Sequence, residues 1–140
     1  MTRIQRLLHR ALAAALLSLA LPGWAGVVVV GHPNVRKLDL LTVQRIYTGK
    51  VIEVAGVSVN PINLHAGQTL RQRFLSDYLQ YNDDSYLAYW TVRRYVGKGV
   101  PPREFATTAE VISYVQTIPG AIAYLDEADV PASMNIVLRK

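Results

Sequence analysis

Apolar residues along this chain switch between short β-branched runs and helically spaced sets, which predicts strands interleaved with helices. Residues 27–30 are four consecutive valines closed by Gly31, the mark of a strand covered on both faces in a parallel or mixed sheet. His32, Pro33 and Asn34 then form a loop. Asp39 stands where a helix N-cap belongs, with Leu40, Val43, Ile46 and Tyr47 on one helical face. Gly49 and Lys50 suit the C-terminal stop of that helix. Residues 51–59 are rich in valine around Gly56 and read as a hairpin or an extended excursion. A second strand is expected over 59–64, with Pro61 near its start. The turn His65-Ala66-Gly67-Gln68 leads into a helix that carries Leu70, Phe74, Leu75, Tyr78 and Leu79 on one side and ends near Gln80. A third helix begins around 82–84, carries Leu87, Tyr89, Trp90 and Tyr95, and is broken by the glycines and prolines of 97–102. Thr107 and Glu110 have the spacing of a capping box for a helix that buries Val111, Ile112 and Val115. Pro119-Gly120 stops it, residues 121–125 return as a strand, and 134–138 form a closing one. Strands alternating with helices place the chain in the α/β class.

Ahead of the first strand the pattern changes. Arg3, Arg6 and Arg10 precede an uncharged apolar run over 11–21, and small residues ending in Ala25 follow. A basic start, a short apolar core and a small-x-small exit describe a secretory signal peptide. The run is about half the roughly 20 residues that a bilayer-spanning helix needs. Cleavage is expected after Ala25, leaving residues 26–140 as one domain in a bacterial periplasm. Losing the leader removes three arginines and no acid, so the formal balance falls from +5 to +2. That small excess argues against nucleic acid as a partner. The chain has no cysteine, so its fold must be held by packing, and thiol catalysis and zinc–thiolate sites are excluded.

Four segments in order are similar to the phosphate ABC transporter substrate-binding protein family. Leu38-Asp39 through Ile46-Tyr47-Thr48-Gly49-Lys50 resembles its "L-S-x-x-E-L-x-x-I-F-x-G-K" segment without a gap. Gly67 through Phe74, with Asp77-Tyr78-Leu79 behind it, lies where the family carries a "D-G-S-G-T" turn running into a helix. Trp90, Gly99 and Pro101-Pro102 match its short members, and Ile118-Pro119-Gly120-Ala121-Ile122-Ala123-Tyr124 is close to "P-G-A-I-G-Y". The resemblance implies a periplasmic-binding-protein-like (type II) single lobe, a mixed sheet flanked by helices, acting in phosphate uptake or sensing. Full-length relatives have two lobes that share one ligand cleft. The turn also departs from the family: aligned on Phe74, the serine, glycine and threonine of the motif fall at Gln68, Thr69 and Leu70.

The turn over 66–71 is nevertheless the best ligand candidate. A strand feeding a helix N-terminus presents unpaired amides and a positive dipole end to an anion. Gly67 allows close backbone approach, Gln68 and Thr69 carry donors, and Arg71 has a fork suited to an oxyanion. The competing reading has Thr69 capping the helix and Arg71 and Arg73 solvated. His32 and His65 each follow a strand, and parallel strands would bring both to one sheet edge. There they could touch a ligand together, or hold a metal with Asp83 or Asp84, though ordinary loop histidines fit two such residues better. Tyr78, Tyr81, Tyr86, Tyr89 and Trp90 suit helix packing better than a stacking platform. Arg93, Arg94 and Lys98 fit a solvated helix end better than an acidic docking site. No nucleophile elbow, P-loop or dinucleotide fingerprint is present, and the carboxylates of 126–129 read as a solvated loop, so no catalysis, cofactor or metal is expected. Two function classes follow. One is a binding module for phosphate or a related oxyanion. The other is a non-catalytic envelope interaction or sensor protein, docking on a membrane transporter, porin or sensor, or pairing as a homodimer.

Overall fold

In a computed structural model of the chain, residues 26–140 are described, and the expected export segment 1–25 lies outside them. The strands are β1 (Val27–Gly31), β2 (Glu53–Val54), β3 (Val57–Ser58), β4 (Asn60–Leu64), β5 (Arg103–Phe105), β6 (Ala121–Asp126) and β7 (Asn135–Arg139). The α-helices are α1 (Leu40–Tyr47), α2 (Thr69–Phe74), α3 (Asp83–Tyr95) and α4 (Thr108–Thr117). A π-helical turn (Leu75–Leu79) continues α2, and a 3-10 turn (Glu127–Asp129) follows β6.

Five strands form one mixed sheet in the order β5-β4-β6-β1-β7. Strands β4, β5 and β6 run parallel, while β1 runs antiparallel to both β6 and β7. The chain steps from β4 outward to β5 through α2 and α3, then back past β4 to β6 through α4. Right-handed crossovers in opposite directions place their helices on opposite faces, which gives the helix-flanked architecture. The valines of β1 are all buried, as expected for a strand covered on both sides.

Local sequence explains most element boundaries. Asp39 caps α1 by accepting from the Thr42 amide at 2.7 Å. Residues 53–58 are a tight hairpin whose two central residues, Ala55 (φ 49°) and Gly56 (φ 81°), both adopt left-handed backbone. Gly49 is required twice over: its φ is +74°, and an added Cβ would lie 2.7 Å from the Trp90 ring. The expected capping box of α4 forms only in part. Thr107 Oγ1 accepts from the Glu110 amide, but the Glu110 carboxylate accepts from Ala106 N rather than from the cap residue itself.

Two features were not anticipated. The helix after the turn changes to π geometry over Leu75–Leu79, closed by Gln80 at φ 57° and by a Tyr81 N–H to Leu75 carbonyl bond of 3.0 Å. Residues 103–105 are a strand rather than loop, paired in register with Ile62, Asn63 and Leu64. Between sheet and helices lies an aromatic spine, with Phe74 stacked on Tyr124 at 4.0 Å and touching Tyr47 and Tyr78 at 4.7 and 5.3 Å. Tyr86 and Trp90 are also buried, so the aromatic concentration around α3 is largely packing.

Candidate functional site

The turn between β4 and α2 sits at the C-terminal edge of the parallel strands. His65 N donates to the Phe105 carbonyl at 3.0 Å, tying the turn to β5. Gly67 has φ +86° with open space where a Cβ would stand, so backbone conformation alone calls for glycine there. Gln68 is the N-cap residue but makes no side-chain cap, because its amide donates instead to the Ala106 carbonyl at 3.0 Å. Thr69 is the first residue of α2 and does not cap it.

Arg71 differs from both expectations for it. It is neither solvated nor held out toward a ligand; it is 5% exposed, and its guanidinium points inward. Nε donates to Asp83 Oδ1 at 2.7 Å, while Nη1 donates to the Leu64 carbonyl at 2.9 Å and to Glu104 Oε2 at 3.0 Å. The other oxygen of Asp83 accepts from Gly67 N at 2.9 Å. One carboxylate therefore sits on a turn amide and a guanidinium together, in the manner of a bound oxyanion. It comes from the first residue of α3, whose start is fixed by reciprocal Asn82 and Ser85 capping bonds. His65 Nδ1 lies 3.8 Å from the Glu104 carboxylate, completing the group at this edge.

His32 is not part of it. Because β1 runs antiparallel to β6, and β6 parallel to β4, the ends of β1 and β4 lie at opposite edges of the sheet. His32 N bonds the Ala121 carbonyl at the start of β6, and the His32 ring lies 2.7 Å from Asn34 Oδ1. The idea of His32 and His65 acting together on a ligand or metal fails on strand direction. Among the described residues no three His, Asp or Glu side chains gather as a metal cage. Two further arginines have carboxylate partners: Arg73 pairs with Asp126 at 3.1 Å, and Arg139 with Glu127 at 2.5 Å. In the segment 126–129, expected to be a solvated loop, Asp126 and Glu127 are thus held in ion pairs, while Asp129 is exposed in the 3-10 turn. Arg93 donates to the Gly49 and Lys98 carbonyls and lies over the rings of Tyr89 and Trp90.

A buried polar chain underlies the turn. The Tyr124 hydroxyl donates to Asn63 Oδ1 at 2.6 Å and accepts from Leu64 N at 3.0 Å. Asn63, only 2% exposed, donates to the Tyr86 hydroxyl at 3.4 Å, which in turn donates to the Tyr47 carbonyl at 2.7 Å. The Arg71 guanidinium lies over the Tyr86 ring at 5.6 Å. A cavity of about 60 Å³ beside Arg71 is lined by Asn63, Tyr86, Trp90, Pro102 and Glu104. Another cleft, about 250 Å³, is mostly apolar and reaches Asn60 and Pro61 at the opposite end of β4. A larger one, about 420 Å³, opens on the other side of the site, lined by Gln72, Ser76, Tyr81, Asn82, Asp83 and Asp84.

Burial raises the phenols of this network. Tyr86 is pushed up to about 12, and Tyr47, Tyr78 and Tyr124 are raised too, chiefly because burial penalises their charged forms. Phenol pKa values higher in the fold than in the open chain add stability at neutral pH that is lost as pH climbs above about 10. We expect the tyrosinate absorbance of the four buried phenols and the loss of circular dichroism to appear together in one cooperative alkaline transition. Buried tyrosines that ionise singly, at about pH 10 and without unfolding, would contradict this.

Comparison with solved structures gives the fold its relatives. The chain matches a protein described as a phosphate ABC transporter substrate-binding protein from Clostridium perfringens, solved with bound phosphate, at a TM-score of 0.56 and 21% identity. It also matches an ABC-type phosphate transport receptor from Vibrio cholerae at a TM-score of 0.61 and 15% identity. Each match covers 80% of this chain but only 44% and 45% of those structures, so the chain spans under half of their length. No family model and no curated sequence matches it. The α/β fold is therefore that of periplasmic-binding-protein-like lobes, as the sequence motifs implied.

Proposed function

We propose that this chain is a non-catalytic binding lobe that meets small oxyanions, phosphate foremost, at the turn formed by His65, Gly67, Gln68, Thr69 and Arg71. In this reading residues 1–25 direct export, residues 26–140 form one domain in the periplasm, and the protein serves a phosphate uptake or sensing system. Among the described residues no helix is long and apolar enough to cross a membrane. The observation that carries the proposal is the seat of Asp83. An anionic oxygen pair rests there on the Gly67 amide and the Arg71 guanidinium, so the turn has the donors an oxyanion needs. Phosphate must then compete with the chain's own carboxylate. Counting Arg71, Asp83 and Glu104 as ionised, the pocket is also negative by one charge.

Affinity is accordingly weak in the native chain and rises when Asp83 is removed. Calorimetric titration with inorganic phosphate should give at most millimolar binding to the native protein. Binding to Asp83→Ala should be about tenfold tighter or more, since a charged hydrogen-bonded competitor is worth about 1.5–3 kcal/mol. Circular dichroism would verify that the variant folds, with the Asn82 cap of α3 intact. No heat in either protein would overturn the oxyanion reading. That result would favour the second reading, an envelope interaction or sensor protein that keeps the fold without tight phosphate binding. A specific observation already points that way: Arg71 Nε and Nη1 are engaged by Asp83, Glu104 and the Leu64 carbonyl.

A further inference from the structure

Helix α3 has a conventional inner face and an unusual outer one. Inward it buries Tyr86 and Trp90, which are 2% and 4% exposed. Outward it shows Leu87, Val92 and Tyr95 at 66%, 63% and 91% exposure, with Ala88 and Thr91 also open to solvent. At about 100° per residue, Asp84, Ala88, Thr91 and Tyr95 fall in one row along that outer face, and Leu87 and Val92 flank it. The Thr91 hydroxyl is satisfied within the helix, donating to the Leu87 carbonyl at 2.8 Å. Covering this row would therefore strand no polar group at its centre.

We propose that this row pairs two copies of the chain, helix against helix, antiparallel about a two-fold axis. The row is complementary to itself when reversed. Placing the axis between Ala88 and Thr91 sets Ala88 against Thr91 of the second copy, and Asp84 against Tyr95 of the second copy. Small residues at the crossing let the two axes approach, while Leu87 and Val92 close the flanks. Charge selects this occupant. The first turn of α3 is acidic through Asp83 and Asp84, and its last turn is basic through Arg93 and Arg94. Reversal brings Asp84 to the exposed Arg94 of the second copy at both ends, whereas parallel pairing would set acid on acid. A 13-residue helix is only about 20 Å long, so the contact falls below the roughly 1,200–2,000 Å² of stable complexes. The dimer is a weak one, populated by concentration. The row itself lies on the helix face opposite Tyr86, which packs beneath Arg71, while Leu87 on its flank also lines the small cavity beside Arg71.

Sedimentation equilibrium would test this on protein recovered from the envelope of cells expressing the full chain. The native protein should follow a monomer–dimer equilibrium with a dissociation constant in the micromolar range or somewhat above. Tyr95→Glu faces a carboxylate with Asp84 of the second copy and should weaken the dimer about tenfold or more, about 1.4 kcal/mol or above. Arg94→Glu should also weaken it, and adding Asp84→Lys should restore it, since the exchanged charges meet again. All three side chains are exposed, so the fold is not at stake. A native protein that stays monomeric up to millimolar concentration would overturn the proposal. So would a Tyr95→Glu variant that dimerises as well as the native chain.

Discussion

Gly120→Ala is expected to lose about 4 kcal/mol of stability and to melt about 15 °C lower, the largest effect of a methyl added at any glycine among the described residues. Two costs coincide at that position. Gly120 has φ +77°, which an L side chain adopts only under strain, and its Cβ would fall 1.9 Å from the Ser58 carbonyl oxygen. Neither partner can give way easily. Gly120 is fixed by its amide to Asn34 Oδ1 at 2.9 Å, and its carbonyl accepts from Asn60 N at 2.8 Å. That second bond starts the pairing of β4 with β6, whose register begins at Asn60 and Ala121. A displaced Gly120 therefore disturbs the centre of the sheet and the first residue of the strand that carries the candidate turn. Thermal unfolding followed by circular dichroism reads the effect. A control at Gly67, where φ is +86° but a Cβ meets nothing, should cost only the backbone strain of about 1 kcal/mol. Equal losses at the two positions would show that the close approach to Ser58 contributes nothing.

The same residue shows what the chain disclosed in advance. Pro119-Gly120 read correctly as the end of one helix before a strand, because proline and glycine act locally. The contact with Ser58 is 62 positions away and left no mark in spacing. The valine run of β1, the cap at Asp39 and the Asn82 start of α3 were legible for the same local reason. Strand direction was not, since a run of four valines reads alike in parallel and antiparallel sheets, and so His32 was placed at the wrong edge. The π turn over Leu75–Leu79 escaped because its apolar positions also satisfy an α-helical period. Strand β5 escaped because Arg103, Glu104 and Phe105 carry two charges and only one apolar side chain. At the site, the turn itself was legible as a strand running into a helix. Its partners were not: Asp83 and Glu104 reach Arg71 from 12 and 33 residues away. No signal in the sequence marked Asn63 and Tyr86 as a buried polar pair.

Arg71 is consequently expected to behave as a structural cation before it behaves as a ligand-binding one. Arg71→Met keeps much of the side-chain volume and removes the charge. It leaves Asp83 and Glu104 facing a pocket without a counter-ion and the Leu64 carbonyl without one of its donors. Losing one member of a buried pair costs about 3–5 kcal/mol. The lower end applies here because the Glu104 side chain is 41% exposed and can hydrate, whereas Asp83 is 23% exposed. We expect a loss of about 3 kcal/mol in urea unfolding with an unchanged slope. Arg71→Lys should recover only part of it, since one ammonium cannot reach three acceptors set in different directions as a planar fork does. Combining Arg71→Met with Asp83→Asn removes the stranded charge as well and should restore more than the lysine does. The double variant separates charge balance from packing. If it is no more stable than Arg71→Met alone, the lost stability comes from packing against Tyr86 rather than from Asp83. If Arg71→Met unfolds within about 0.5 kcal/mol of the native chain, the pairings are not holding the turn, and Arg71 is free to serve a ligand.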